Sequence, residues 1–301
     1  MNKVRKPRKK LKDFPRRWRR RILSMSFLLP SMLGVGLFFV APFAVVGYYS
    51  SVDSPFNPRF VGFENYARLF QNSAFLNAAR NTAIFSLSAV PLAVVLALVM
   101  AMILDQSIPM RSTFRTFFLT PLMVPTASIV LIWQVFFHPN GAMNEFLLNI
   151  GHDKIDWFKS SYSYFVIQIL YLWKNLGYNM ILFMAALNDI PKDLLEVADL
   201  DGANAWQKFW KIKIRFLSPT ILFVGLMSLV NSFKVFREIY LLTGDYPYDT
   251  LYMLQHFMNN TFRSLDYQKL SAAAVIMFLV MIVIIGGLFA LEDRFGRDLE
   301  G

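Results

Sequence analysis

The polar side chains that could recognise a ligand lie in two stretches of the chain that are otherwise apolar. In the first stretch, 160–188, Lys174 is the sole charged residue, and it stands beside Trp173, Asn175 and Tyr178. The second stretch contributes another five polar residues: Ser228, Asn231, Ser232, Lys234 and Arg237. An aromatic face combined with amides, hydroxyls and cations suits non-covalent recognition of a ligand rather than bond cleavage.

Residues typical of catalytic or metal sites form no motif in this sequence. The three histidines, His138, His152 and His256, lack metal-ligand spacing, and no nucleophile motif is present. None of the 14 glycines is followed by lysine, so a phosphate loop ending in Gly-Lys is absent. The chain has no cysteine, which excludes a disulfide scaffold and a thiolate metal site. We predict no enzyme activity, no metal and no cofactor in this chain.

Lys174 lies too deep in its apolar stretch for its ammonium group to reach a lipid headgroup. A charge at that depth costs about 2.5–3.5 kcal/mol, so the side chain must face protein or water. It is then either a donor lining a cavity or one half of an internal ion pair. For Ser228 and Ser232, helix packing through small residues is likewise the alternative to a place on a polar path.

A polar loop, 188–216, separates acidic from basic residues. The part before Gly202 holds five acids and one lysine, and the part from Gly202 onward holds four bases and no acid. Pro191 is a helix start signal and Gly202 a stop signal, so we predict short helices at 191–201 and 204–215. The two helices could form a purely structural hairpin that lies on the membrane surface, but anionic lipid would repel the acidic first helix.

Several apolar stretches are long enough to cross a bilayer, which takes about 20 residues. The chain is 55% hydrophobic and 17% charged, whereas soluble domains are about 45–50% apolar and about 25% charged. We therefore predict an all-α membrane protein. Its six transmembrane helices are expected at 25–49, 82–104, 116–137, 163–187, 217–233 and 270–291.

The distribution of Lys and Arg predicts the orientation. Residues 1–24 hold 12 basic residues and one acid, which accounts for the whole formal charge of +11. A charge confined to one arm argues against a nucleic-acid surface. With both termini in the cytoplasm, the cytoplasmic segments hold 21 Lys and Arg and the external ones nine. We predict a basic cytoplasmic arm (1–24), a six-helix domain (25–295) and a cytoplasmic tail (296–301). The arm either faces lipid or binds a specific partner.

The loop 188–216 resembles the cytoplasmic motif of permease subunits of ATP-binding-cassette importers. That motif reads Glu-Ala-Ala, two residues, Asp-Gly-Ala, eight residues, Ile-x-Leu-Pro, and here its three parts are 196–198, 201–203 and 212–215. Val197 replaces the first of the two alanines and Arg215 replaces the proline, so we expect the second helix to continue unbroken into the membrane. The resemblance implies that five residues of a coupling helix contact an ATPase: Glu196, Ala198, Asp201, Gly202 and Ala203.

Further matching pieces extend the resemblance over about 25–295 and are similar to the oligosaccharide-uptake branch that includes maltose-type importers. The resemblance implies a second permease, a cytoplasmic ATPase dimer that binds ATP and Mg, and an extracytoplasmic solute-binding protein. It also implies a carbohydrate substrate and a multi-pass location in the cell membrane. Sugars present an apolar face ringed by hydroxyls, which aromatic, amide, hydroxyl and cationic side chains can bind. We therefore predict that nine residues, called path residues below, line the substrate path: Trp173, Lys174, Asn175, Tyr178, Ser228, Asn231, Ser232, Lys234 and Arg237.

Lys234, Arg237 and Glu238 are charged where relatives tend to have uncharged residues. The cations suggest a substrate with acidic groups, and the alternative is that Arg237 pairs with Glu238 or with the partner subunit. An ion-coupled secondary transporter is the other functional hypothesis. It would need titratable groups or broken helices in the membrane, and five of the six predicted spans carry no Asp, Glu, Lys or Arg.

Overall fold

The computed structural model describes residues 16–106 and 109–296, and this part of the chain is helical, with no strand. Most of the predicted basic arm (1–15) and of the tail (297–301) lies outside the described residues. The helices are α1 (Arg16–Val35), α2 (Ala41–Tyr49), α3 (Glu64–Phe70), α4 (Ser73–Asp105), α5 (Arg111–Met123), α6 (Thr126–Phe136), α7 (Ala142–Asn149), α8 (Ser163–Asn188), α9 (Lys192–Leu200), α10 (Ala205–Lys208), α11 (Ile214–Lys234), α12 (Phe236–Thr243), α13 (Leu254–Arg263) and α14 (Tyr267–Gly296). Short π-helical turns, Gly36–Val40 and Phe209–Lys213, join α1 to α2 and α10 to α11.

Four helical stretches in the described chain are long and apolar enough to cross a membrane: Phe27–Tyr49, Ser73–Asp105, Ala205–Thr243 and Tyr267–Asp293. A fifth is obtained when the bent pair α5 and α6 is taken as one span. The prediction of an all-α membrane protein is confirmed, whereas the prediction of six spans is not, since length and composition identify four spans in the described residues, or five with the bent pair. The remaining predicted span, α8, has 26 residues, but its Lys, Asn and Gln residues make it less apolar than the others.

The third predicted span, 116–137, is not one straight helix. α5 ends at Met123 and α6 begins at Thr126, and the two helices are bent by 101°. Pro125 clashes with a helical conformation of the residue before it, and Val124 is accordingly extended, with φ −85° and ψ 131°. Sequence periodicity alone missed this break, which brings the start of α6 against α8.

Two other boundaries follow from local interactions. α4 begins at Ser73, nine residues before the predicted start at 82, because the Asn72 side chain accepts a hydrogen bond from the Phe75 amide at 3.0 Å. At the C-terminal end of the loop 188–216, the helical run from Ala205 to Thr243 passes through Arg215 without interruption. The expectation that Arg215 continues the second helix is confirmed.

The core is centred on α8, which packs against α4, α5 and α11. On α4, four alanines spaced by four residues, Ala89, Ala93, Ala97 and Ala101, are completely buried. Small side chains at this spacing let two helix backbones approach closely. The opposing side of α8 contributes large residues that are also fully buried, among them Tyr171 and Phe183. One side of α8 therefore lies inside the bundle, which is why it tolerates polar residues there.

A very close approach within this core is between α8 and α5 at Gly177. A Cβ atom placed on Gly177 would lie 1.9 Å from the backbone oxygen of Phe118. No side chain fits at that distance, so glycine is required for the two backbones to touch.

We expect Gly177→Ala to force α5 away from α8 and to lower the unfolding temperature of the purified protein in detergent. Overpacking of this kind costs about 1–3 kcal/mol. Gly286→Ala is the matched control, because Gly286 is also helical and has nothing within 4 Å of its added Cβ. Equal unfolding temperatures for the two variants would contradict the close crossing.

Candidate functional site

A polar cavity of about 140 Å³ lies where α8, α11 and α12 meet the end of α5. Leu122, Leu170 and Val235 contribute to its apolar lining. Five of the nine predicted path residues also line it: Lys174, Asn175, Asn231, Lys234 and Arg237. Helices distant in sequence thus bring the two predicted groups of polar residues into one site.

Lys174 forms an ion pair with Glu238, which also lines the polar cavity. The Lys174 ammonium donates to Glu238 Oε1 and, at 3.4 Å, to Thr126 Oγ1 at the start of α6. Glu238 is only 4% exposed, so its charge needs a partner. Both readings of Lys174 hold at once, because this residue lines a cavity and belongs to an ion pair. The alternative in which Arg237 pairs with Glu238 is not found.

The neutral wall of the cavity is an amide network between α8 and α11. Asn231 Nδ2 donates to Asn175 Oδ1 at 2.9 Å, and Asn175 Nδ2 donates to the Tyr171 carbonyl at 2.7 Å. These bonds hold both asparagine side chains in fixed orientations. The cavity wall is therefore ordered before any ligand arrives.

The other four predicted path residues lie outside the cavity lining. Ser228 and Ser232 are buried and join helices: Ser228 Oγ accepts from Asn179 Nδ2 at 2.9 Å, and Ser232 Oγ bonds Ser86 Oγ at 2.9 Å. This geometry favours the packing role for both serines. Trp173 is 37% exposed, with its ring 6.3 Å from that of Trp133, and Tyr178 is half-buried.

Two residues of the site, Glu238 and Thr126, were missed as path residues. A signal for Glu238 was present, because a lysine inside a membrane span requires a counter-ion and Glu238 is an acid in a second membrane-length helix. No signal identified Thr126, since its position depends on the bend at Pro125.

The second candidate site is the 192–208 hairpin, made of α9, the turn at Gly202, and α10. Gly202 has φ +76° and follows the end of α9. The Ala203 amide donates to the Ala198 carbonyl at 2.9 Å and the Gly202 amide to the Asp199 carbonyl at 3.0 Å. These two bonds form a Schellman motif, in which glycine is favoured because it has no Cβ. The predicted helix stop at Gly202 is confirmed.

Side-chain interactions fix the start of α10 and join α10 to α9. Asn204 and Gln207 form a capping box at the start of α10, and Lys208 Nζ lies 2.5 Å from Asp199 Oδ1. The acidic arm and the basic arm therefore pair directly.

No residue of α9 is buried. Leu194, Val197 and Leu200 are 40%, 56% and 88% exposed. The five residues predicted to contact an ATPase lie on this arm and its turn, where Glu196, Asp201 and Gly202 are exposed and Ala198 and Ala203 half-buried. The hairpin thus presents an apolar face together with acidic side chains.

Membrane-length helices around a polar cavity, together with an exposed helical hairpin, are typical of a membrane transport subunit. Residues 89–300 match the family described as "Binding-protein-dependent transport system inner membrane component". The chain belongs to this family. Within the described residues, no group of three or more His, Cys, Asp or Glu could hold a metal ion.

Curated relatives are similar over most of their length. The sulfoquinovosyl glycerol transport system permease protein SmoG of Agrobacterium fabrum is 30% identical over 265 residues, which is 86% of each chain. The sn-glycerol-3-phosphate transport system permease protein UgpA of Rhizobium meliloti is 29% identical, over 91% of this chain and 94% of that one.

The fold is also that of a solved transporter. A chain of a bacterial alginate ABC transporter, in complex with an alginate pentasaccharide-bound periplasmic protein, superposes with a TM-score of 0.77. It covers 93% of this chain and 97% of its own, at 21% sequence identity.

The protein is therefore a permease subunit of a binding-protein-dependent ABC importer and a multi-pass protein of the inner membrane. It is a transport subunit, not a catalytic one. Membership of this family decides against the alternative of an ion-coupled secondary transporter.

We expect Glu238→Gln to destabilise the protein by roughly 3 kcal/mol, because it leaves the Lys174 charge without a partner inside the bundle. The measurement is thermal unfolding in detergent. Lys174→Met in the same background removes the unpaired charge and should restore most of the stability. As a control, Arg68→Gln breaks the exposed Arg68–Glu64 pair and should cost less than about 1 kcal/mol. Strictly additive effects of the two cavity substitutions would show that the pair contributes nothing.

Proposed function

We propose that this subunit forms, with a second permease, the membrane path for an oligosaccharide. The observation that carries the proposal is the polar cavity, in which Lys174, Asn175 and Asn231 lie between membrane-length helices. Amides and cations beside apolar side chains provide directional hydrogen bonds for hydroxyls. The curated relatives support a sugar-like solute, since their names include sulfoquinovosyl glycerol, glycerol phosphate and, for AraP of Halalkalibacterium halodurans, arabinooligosaccharides.

The cavity volume supports a path shared between two subunits. At about 140 Å³, it is smaller than the roughly 300–1,000 Å³ of complete ligand pockets. Lys234 and Arg237 at its edge are exposed in the single chain. We infer that the second permease closes this side and supplies the other half of the path, which also involves Trp173, Tyr178, Ser228 and Ser232.

We propose that the 192–208 hairpin couples this path to a cytoplasmic ATPase dimer, which binds ATP and Mg in place of this chain. The exposed apolar residues of α9 are expected to be buried against a partner. The resemblance to the family motif favours a cleft on the ATPase as the surface that binds them. The Schellman turn and the Asp199–Lys208 pair stiffen the hairpin. A stiff hairpin can transmit a movement to the helices that follow it.

We propose six spans, with α8 as the one that hydropathy does not identify. Its 26 residues measure about 39 Å, which exceeds the ~30 Å hydrocarbon thickness. Several of its polar groups face protein, as the buried Asn179 shows. With α8 counted, both termini and the hairpin lie in the cytoplasm, the arm 1–24 lies beside the lipid headgroups of the bilayer, and the external loops face the solute-binding protein.

Gly202→Val should leave the protein inserted but abolish sugar uptake while the ATPase still hydrolyses ATP. A β-branched residue disfavours φ +76°, so the turn changes shape and α9 loses its position. The measurement is uptake and ATP hydrolysis by the assembled transporter in proteoliposomes.

Gly151→Val is the matched control, since Gly151 has φ +85° and an open surrounding but lies outside the hairpin. It carries the same backbone strain and should retain coupling. Normal uptake by Gly202→Val would refute the coupling role.

Single cysteines can test the topology, because the chain has no cysteine of its own. Leu200→Cys places a thiol on the hairpin, where the native side chain is 88% exposed, and Phe56→Cys places one where it is 95% exposed. An impermeant maleimide should label Leu200→Cys only in inside-out vesicles and Phe56→Cys only in right-side-out vesicles. Labelling of Leu200→Cys from outside would exclude contact with an ATPase.

A further inference from the structure

The polar cavity holds more positive than negative charge. Three cations line it, Lys174, Lys234 and Arg237, against one carboxylate, Glu238. The carboxylate is engaged by Lys174. Lys234 and Arg237 form no ion pair with any residue in 16–106 or 109–296, so two positive charges at the cavity edge lack compensation.

Lys234 and Arg237, expected from the sequence to lie just outside the fifth span, are instead level with the middle of α8. Lys174 is near the centre of that 26-residue helix, and Glu238, one residue after Arg237, is in contact with it. Val235 and Glu238 point into the bundle and are 4% exposed each. Lys234 and Arg237, three residues apart, are exposed on the neighbouring face.

A face with two cations at this depth cannot be turned towards lipid. Each charge there costs about 2.5–3.5 kcal/mol. Like charges on one helix face also repel each other. An anion between them would relieve both costs, and a guanidinium binds a carboxylate or phosphate through two parallel hydrogen bonds.

We propose that Lys234 and Arg237 form a subsite for an anionic group, a carboxylate, sulfonate or phosphate, on the sugar that this transporter carries. The inference rests on the proposed function of the cavity and names the substrate class: acidic glycosides. Lys174 is not part of the subsite because Glu238 neutralises it. Asn175 and Asn231 then contact the uncharged part of the sugar.

The test uses the whole assembly, with the second permease, the ATPase and the binding protein, in proteoliposomes. The probes are trigalacturonate and trimannuronate, each paired with its neutral methyl ester. The readout is the ratio of acidic to neutral uptake, in which changes in protein amount or coupling cancel. Lys234→Gln with Arg237→Gln should lower this ratio about tenfold or more, by loss of two charge-assisted contacts.

Arg68→Gln with Arg80→Gln is the control, since it removes the same charge from exposed positions outside the cavity and should leave the ratio unchanged. An equal fall for acidic and neutral probes in the cavity variant overturns the proposal and assigns the cations to contact with the second permease. Wild-type uptake of neutral probes alone overturns the anionic subsite but leaves the sugar path standing. Uptake of no probe contradicts the proposed function itself.

Discussion

The ion pair between Lys174 and Glu238 is the interaction on which the arrangement around the cavity depends. A charge inside a bilayer must be satisfied by the protein, since water and headgroups are out of reach. The pair meets this constraint by joining α8 to α12, and the additional bond to Thr126 brings in the start of α6. Three helices from separate parts of the chain are thus held by one ammonium group. A hydrophobic substitute would fill the space but would not define these positions.

The bend at Pro125 and the crossing at Gly177 serve the same arrangement. Without the bend, a straight helix would carry Thr126 away from α8, and without the glycine, α5 could not approach α8 closely enough to form the cavity wall. The close contact at Phe118 fixes α5 against α8, and the bend a few residues later turns α6 back towards α8. Backbone constraints of this kind position the polar groups, and the polar groups then hold the backbone.

A continuous helical run, Ala205–Thr243, connects the two candidate sites. One end carries α10 and its contact with α9, and the other carries Asn231, Lys234 and Arg237 at the cavity. At about 1.5 Å per residue, 39 residues extend roughly 58 Å. Movement of the hairpin can therefore reach the cavity through a single element, without a chain of intermediate contacts. Arg215 in place of the family proline helps to keep this element continuous.

The amino-acid sequence alone determined what depends on local chemistry: the helical class, the membrane location, the stop at Gly202, and the two stretches with polar groups. Composition and residues adjacent in the chain decide these features. Only the tertiary structure decided that Glu238 is the partner of Lys174, that Ser228 and Ser232 pack between helices, and that Lys234 and Arg237 remain unpaired among the described residues. Such pairings join residues 49 to 146 positions apart, and the helix packing that sets them leaves no periodic signal in the chain.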